Sequence, residues 1–147
     1  MNCANEPIIT RAEFMARHLN KHNIRSATLL VLYDLRIPIN YDGFDYLLNA
    51  IPEAFACETQ IVAGEIYDIV GSQYTPKVES RNMDAAIRDA IKAAWKNKAE
   101  ANWNCYFPEY IINRKKPPSN LEFIVAIVYF LELWQDCCPK EASYAIV

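Results

Sequence analysis

The stretch Arg81–Asn97, RNMDAAIRDAIKAAWKN, decides how this chain is read. Met83, Ile87, Ala90, Ile91, Ala94 and Trp95 recur at the three- and four-residue spacing of one apolar helix face. Arg81, Asn82, Asp84, Ala85, Arg88, Asp89, Lys92 and Lys96 point away from that face. The spacing predicts one long helix, buried on one side and mainly basic on the other. A helix of this kind suits a DNA major groove, although an ordinary amphipathic helix with a solvated face has the same pattern.

Immediately upstream, Tyr74-Thr75-Pro76 reads as a turn, with Pro76 suited to a first helical turn. Before it, a helix is expected from about Thr59 to Gln73, with Ile61, Val62, Ile66, Ile69 and Val70 inward and Gly71 weakening its end. Two helices joined by a short turn, the second amphipathic and basic outward, have the layout of a helix-turn-helix. The pattern alone is generic, because any all-α domain contains helix pairs.

Further out, a helix from about Ile24 to Leu35 offers Leu29, Leu30, Leu32, Tyr33 and Leu35 to a core, and Pro38 ends it. Asp42 is expected to cap the next helix, whose core side is Phe44, Leu47, Leu48 and Ile51, with Pro52 breaking it or starting another. Near the N-terminus, Thr10 and Glu13 form a capping box, with Ile9 and Phe14 placed as a hydrophobic staple. The helix they open has a thin apolar stripe of Ala12, Met15, Ala16 and Leu19 and should pack on the main body. Downstream, Trp103–Tyr110 reads as a short helix and loop, and Arg114-Lys115-Lys116-Pro117-Pro118 as a basic extended connector. Ser119 and Glu122 make a second capping box. The helix it opens carries Phe123, Ile124, Ile127, Val128, Leu131 and Trp134 and is apolar nearly all round, hence buried or part of an interface. The organisation expected is an arm and helix over 1–23, one all-α domain over 24–134 and a tail over 135–147.

Composition agrees with one folded domain. The chain has 147 residues, 52% of them hydrophobic, which is enough for a proper core and too much for disorder. Three glycines and few β-branched alternations argue against an all-β fold. The longest apolar run, Phe123–Leu131, stops at Glu132, short of a membrane span, and no signal peptide is visible at the N-terminus. No membrane association and a cytoplasmic location are expected. Five cysteines (Cys3, Cys57, Cys105, Cys137, Cys138) form no CxxC pair and read as free thiols, with a vicinal Cys137–Cys138 disulfide the alternative. The net charge of −3 hides an asymmetry: Ser26–Pro76 is strongly acidic, while Lys77–Glu122 carries a basic excess. A polyanion would meet the second half.

Catalytic groupings are not apparent. There is no Ser/His/Asp set, no nucleotide-binding glycine loop and no metal cluster, and Asp42 with Asp45 is accounted for by capping. His18 and His22 sit four apart on one face, but no third ligand lies nearby and HExxH is absent. Neither enzyme activity, a cofactor nor a metal is expected.

Three stretches together resemble the C-terminal effector domain of the stage-zero sporulation protein A, a response regulator family. They are Ile37-Pro38 with Gly43-Phe44-Asp45-Tyr46-Leu47 and Ala50-Ile51; then Met83–Trp95, with its AIRxAIxxAW pattern; then Pro118-Ser119-Asn120-Leu121-Glu122-Phe123-Ile124. The likeness spans about Ser26 to Leu133. It implies a six-helix bundle containing a helix-turn-helix, here with an extra N-terminal helix, a recognition helix at about Arg81–Asn97, and Thr59–Gln73 bracing it across the DNA backbone. It also implies assembly in tandem on DNA.

This chain departs from the family in three respects. It is about two residues longer between Tyr74 and Met83. Ala85 and Asp89 stand where the family carries an arginine and a histidine. Only about 25 residues precede the domain, too few for a receiver, so control is expected from expression, a partner or the N-terminal helix. Arg81, Asn82 and Arg88 remain for bases or phosphates; Lys77, Lys92, Lys96, Arg114, Lys115 and Lys116 remain for the backbone. The expected function is a stand-alone DNA-binding transcriptional regulator acting on double-stranded DNA, as a homodimer or tandem assembly. The alternative is an effector-like module that has lost base reading and binds a protein partner, such as a full-length regulator of the same family.

Overall fold

The computed structural model of the chain describes residues 23–137. The described residues are helical without a strand: α1 (Ile24–Asp34), α2 (Asp42–Phe55), α3 (Ala63–Gly71), α4 (Ser80–Lys96), α5 (Glu100–Trp103), α6 (Glu109–Ile112) and α7 (Asn120–Cys137). Five are long enough to be packing units, and α5 and α6 are single turns. The expected Thr10 helix, the His18/His22 pair and the Cys137–Cys138 question lie outside what is described.

The core forms where α2 crosses α4 and α7, with α1 and α3 packed against the same helix. Leu47, Ala50, Ile51 and Ala54 of α2 and Met83, Ile87, Ala90 and Ile91 of α4 share this core, and all are essentially dry. The approach is close because the residues at the crossing are small. A Cβ built on Gly43 would lie 2.2 Å from the Ala86 carbonyl oxygen and 2.8 Å from the Ala90 Cβ. At that point the two backbones touch, which only glycine permits.

The termini of the helices refine the sequence reading. Leu35 is the C-cap of α1, and Arg36 after it adopts a left-handed φ of 59°. Its amide donates to the Tyr33 carbonyl at 3.0 Å, and that of Ile37 donates to Leu32 at 3.0 Å. This is a Schellman ending with arginine where glycine is usual, sealed by the apolar pair Leu32 and Ile37. The buried face of α1 is Ile24, Ala27, Thr28, Val31 and Leu32. Tyr33, expected in the core, is instead exposed, because it lies off the face that Leu32 and Leu35 share. Asp42 does not cap α2 with its side chain: Tyr41 occupies the N-cap, and Asp42 is the first helical residue, where its charge favours the helix dipole. Pro52 neither breaks α2 nor starts a helix. It lies inside α2, which continues to Phe55 because Ile51 and Ala54 on either side are buried and hold the turn.

α3 begins at Ala63, four residues later than expected, since Val62 is still extended. Val62 and Ile69, expected inward, are exposed; Ile66, Tyr67 and Val70 make the buried face. Pro76 does not open α4. It lies in the connection Ser72–Glu79, which is roughly twice the 3–4 residues of a tight helix-turn-helix turn. Val78 closes this connection by donating to the Gly71 carbonyl at 3.1 Å. A Cβ on Gly71 would lie 2.2 Å from the Val78 carbonyl oxygen, so Gly71 is a contact residue and not merely a weak helix end.

The aromatic segment clasps the end of α1. Trp103 is fully buried, stacks on Phe107 with centroids 5.0 Å apart and donates its indole N–H to the Leu35 carbonyl at 3.2 Å. Asn102 donates to the Asp34 carbonyl at 2.9 Å, and Tyr106 donates to the Asp34 carboxylate at 2.6 Å. α7 then buries Phe123, Ile124, Ile127, Val128 and Leu131 and leaves Tyr129 and Leu133 exposed on its other side.

Two glycine substitutions separate contact from propensity. Gly43→Ala should cost at least about 2–3 kcal/mol by overpacking against the α4 backbone. Gly64→Ala, where a Cβ meets nothing within 4 Å, should be neutral or stabilise by up to about 1 kcal/mol. Urea unfolding followed by circular dichroism measures both.

Candidate nucleic-acid interface

The face of α4 opposite the core carries Arg81, Ala85, Arg88, Lys92 and Lys96 at four-, three-, four- and four-residue steps, hence as one stripe along the helix. Every one of these side chains is exposed, as are Asn82 and Asp89 beside them. The stripe is presented on a fixed support, because the opposite face is locked against α2 and α7. At ~1.5 Å per residue, Lys96 stands roughly 22 Å from Arg81, so the two ends of the stripe meet different parts of any ligand.

The connection into α4 is pinned from below. Tyr74 donates its hydroxyl to the Asp45 carboxylate at 2.5 Å and accepts from the Asn49 amide at 2.7 Å. Asn49 in turn accepts from the Arg25 guanidinium at 3.4 Å. Burial, and then the Asp45 carboxylate, pushes the Tyr74 phenol well above its usual range, so it remains a donor at physiological pH. Asp45, assigned to capping from sequence, therefore anchors the turn. Lys77, in that turn, is exposed and adjoins the start of the stripe.

The connector between α6 and α7 divides the three basic residues assigned to it. Arg114 is not a free cation: its guanidinium pairs with Glu122, including Nη1 to Oε2 at 3.1 Å, and donates to the Lys116 and Pro117 carbonyls at 3.3 Å. The expected capping box is present, with the Glu122 amide donating to Ser119 Oγ at 3.1 Å and the Ser119 amide to Glu122 Oε1 at 2.8 Å. Arg114 thus pins the connector to the first turn of α7. Lys115 and Lys116 stay exposed. Lys116 joins Arg88 and Lys92 around a groove of about 440 Å³, also lined by Asp84, Ser119 and Asn120. Sequence spacing could not have brought Lys116 beside α4.

Two acids temper the face. Asp89 is exposed beside the stripe, and Asp84 forms an ion pair with Arg88 one turn on. Lys98, outside the stripe, lies over the Trp95 ring with its Nζ 4.0 Å from the centroid.

Residues 28–131 match the family model described as the C-terminal domain of sporulation initiation factor Spo0A. The chain belongs to this family. Its domains are DNA-binding effectors of sporulation and transcription control, and it is not an enzyme family. The match runs from within α1 to within α7 and includes α2, α3, the connection and α4. Among the described residues, no helix is long and apolar enough to cross a membrane.

The Arg114–Glu122 pair sets an acid dependence. Arg114, then the Ser119 amide, holds the Glu122 carboxyl at about 2, below its ordinary 4.5. Between those values the folded chain binds fewer protons than the unfolded one, so the stabilisation is complete above about 4.5 and is lost as pH falls toward 2. Glu122→Gln should therefore be less stable than wild type at pH 7, with the difference vanishing by about pH 2. Thermal melts across that range read it directly.

Proposed function

We propose that this chain regulates transcription by binding duplex DNA, with α4 entering the major groove. The observation that carries the reading is the exposed Arg81–Arg88–Lys92–Lys96 stripe on a helix docked firmly against α2 in a sporulation-effector domain. Arg81, Asn82 and Arg88, in the first half of α4, face the bases. Lys77, Lys92, Lys96, Lys115 and Lys116 neutralise phosphates, and α3 braces α4 across the backbone. Arg114 serves indirectly, by fixing the connector from which Lys115 and Lys116 project. Assembly in tandem or as a homodimer on DNA fits the same surface. The chemistry is electrostatic and hydrogen-bonding, and calls for no cofactor.

A second reading has its own support. Ala85 and Asp89 interrupt the positive stripe, while Tyr110, Tyr129 and Leu133, 71%, 63% and 60% exposed, border an apolar groove between α6 and α7. A chain that had given up base reading could use that side to bind a protein, such as a regulator of its own family.

Fluorescence anisotropy with random-pool and sporulation-type promoter duplexes, over a salt series, separates the two. Binding should weaken steeply with salt, with a log–log slope of about −0.9 per phosphate neutralised. Lys92→Ala and Lys116→Ala should each reduce the slope by about 1 while affecting all sequences alike. Arg81→Ala/Arg88→Ala should lose sequence preference, at about 1–3 kcal/mol per missing base contact. Absence of binding by the folded chain even at low salt would sink the first reading in favour of the second.

A further inference from the structure

Three helices converge on Asp84. The amide of Asn120, the first residue of α7 and itself buried, donates through Nδ2 to both the Asp84 backbone carbonyl at 2.8 Å and its Oδ1 at 3.0 Å. The other carboxylate oxygen, Oδ2, receives Nη2 of Arg88. From α3, Tyr67 closes the third side: its hydroxyl is enclosed beside Asn120 and Asp84 without a well-formed hydrogen bond to either. Asp84 is therefore not a loose surface acid. Its plane is set from behind by a residue anchored in the core, and it passes that orientation to Arg88.

Arg88 itself is half exposed. Among the described residues, its Nε and Nη1 make no hydrogen bond, so the guanidinium is held at Nη2 and open on the rest. A planar guanidinium fixed in this way has lost much of the rotamer freedom that a solvent-exposed arginine must surrender to make a bidentate contact.

We infer that Asn120 and Asp84 are positioning residues for base recognition: Asn120 fixes Asp84, and Asp84 presents the Arg88 guanidinium to a base edge in one orientation. The inference rests on the reading of α4 as the helix in the groove. It inverts the expected effect of an acid on a DNA-binding face. A merely repulsive Asp84 would weaken binding to every duplex equally, and its removal would strengthen binding to every duplex equally.

The test begins with wild-type chain and duplexes selected from a random pool, then compares the preferred duplex with variants changed at one base pair. Asp84→Ala should reduce the ratio of preferred to variant affinity by about tenfold. Arg88→Ala should have the same effect, and the double variant should lose no more than either single one, because the two act as a unit. Asn120→Ala should move the ratio in the same direction, with a thermal melt establishing that it is folded. If Asp84→Ala binds all duplexes more tightly with the ratio intact, the carboxylate only repels and the inference is wrong. It also fails if the Asp84→Ala and Arg88→Ala losses add. If the wild type binds duplex but selection returns no preferred sequence, the inference falls while DNA binding stands. If the wild type binds no duplex, both fall.

Discussion

The contact between the backbones of α2 and α4 at Gly43 governs what the rest of the molecule can do. The stripe of cations on α4 has meaning only if the helix cannot roll or slide. Roll is prevented by the buried row Met83, Ile87, Ala90 and Ile91. Slide is prevented by the absence of a side chain at Gly43, which seats the α4 backbone at one register against α2. A bulkier residue at that place would lift α4 outward, and every side chain on its outer face would move with it. The small residues Ala86 and Ala90 are the other half of the same fit.

Much of this was legible from the sequence, and for definite reasons. α4 is strongly periodic, carries no internal proline or glycine, and buries the residues its spacing assigns, Trp95 only in part. The Ser119–Glu122 capping box is a local device with a local signature, and it forms as read. What the sequence could not show depended on contacts between distant residues. Pro52 stays within α2 because the core on both sides holds the helix through it. Tyr33 and Ile69 look like core residues but fall off their buried faces, because those faces are set by where α2 lies. The Tyr74–Asp45–Asn49 anchor, the partnership of Arg114 with Glu122, and the placing of Lys116 beside Arg88 all join elements whose relative position no spacing rule gives.

The arrangement also resolves the charge pattern into parts. The basic excess after Lys77 is not one surface. Arg114 is committed to Glu122 and the connector, Lys98 lies over Trp95, and Arg88 is shared with Asp84. The remaining free cations are few and spaced along the helix and connector. A surface of this kind attracts a polyanion only moderately. The acids of the first half stand partly within the scaffold: Asp45 holds the turn, and Asp34 receives Asn102 and Tyr106.

The clasp at the end of α1 bears on how the chain acquires its structure as it is made. Asp34 and Leu35 find their partners 68 and 72 residues further on, in Asn102, Trp103 and Tyr106. Closing so long a loop costs conformational entropy before any contact repays it. During synthesis, α1 and α2 emerge and can pair early, but the end of α1 stays uncovered until the aromatic segment has left the ribosome. The first helix and the segment beyond α4 are thus joined late, and the core closes only after α7, which follows that segment in the chain, has packed on α2.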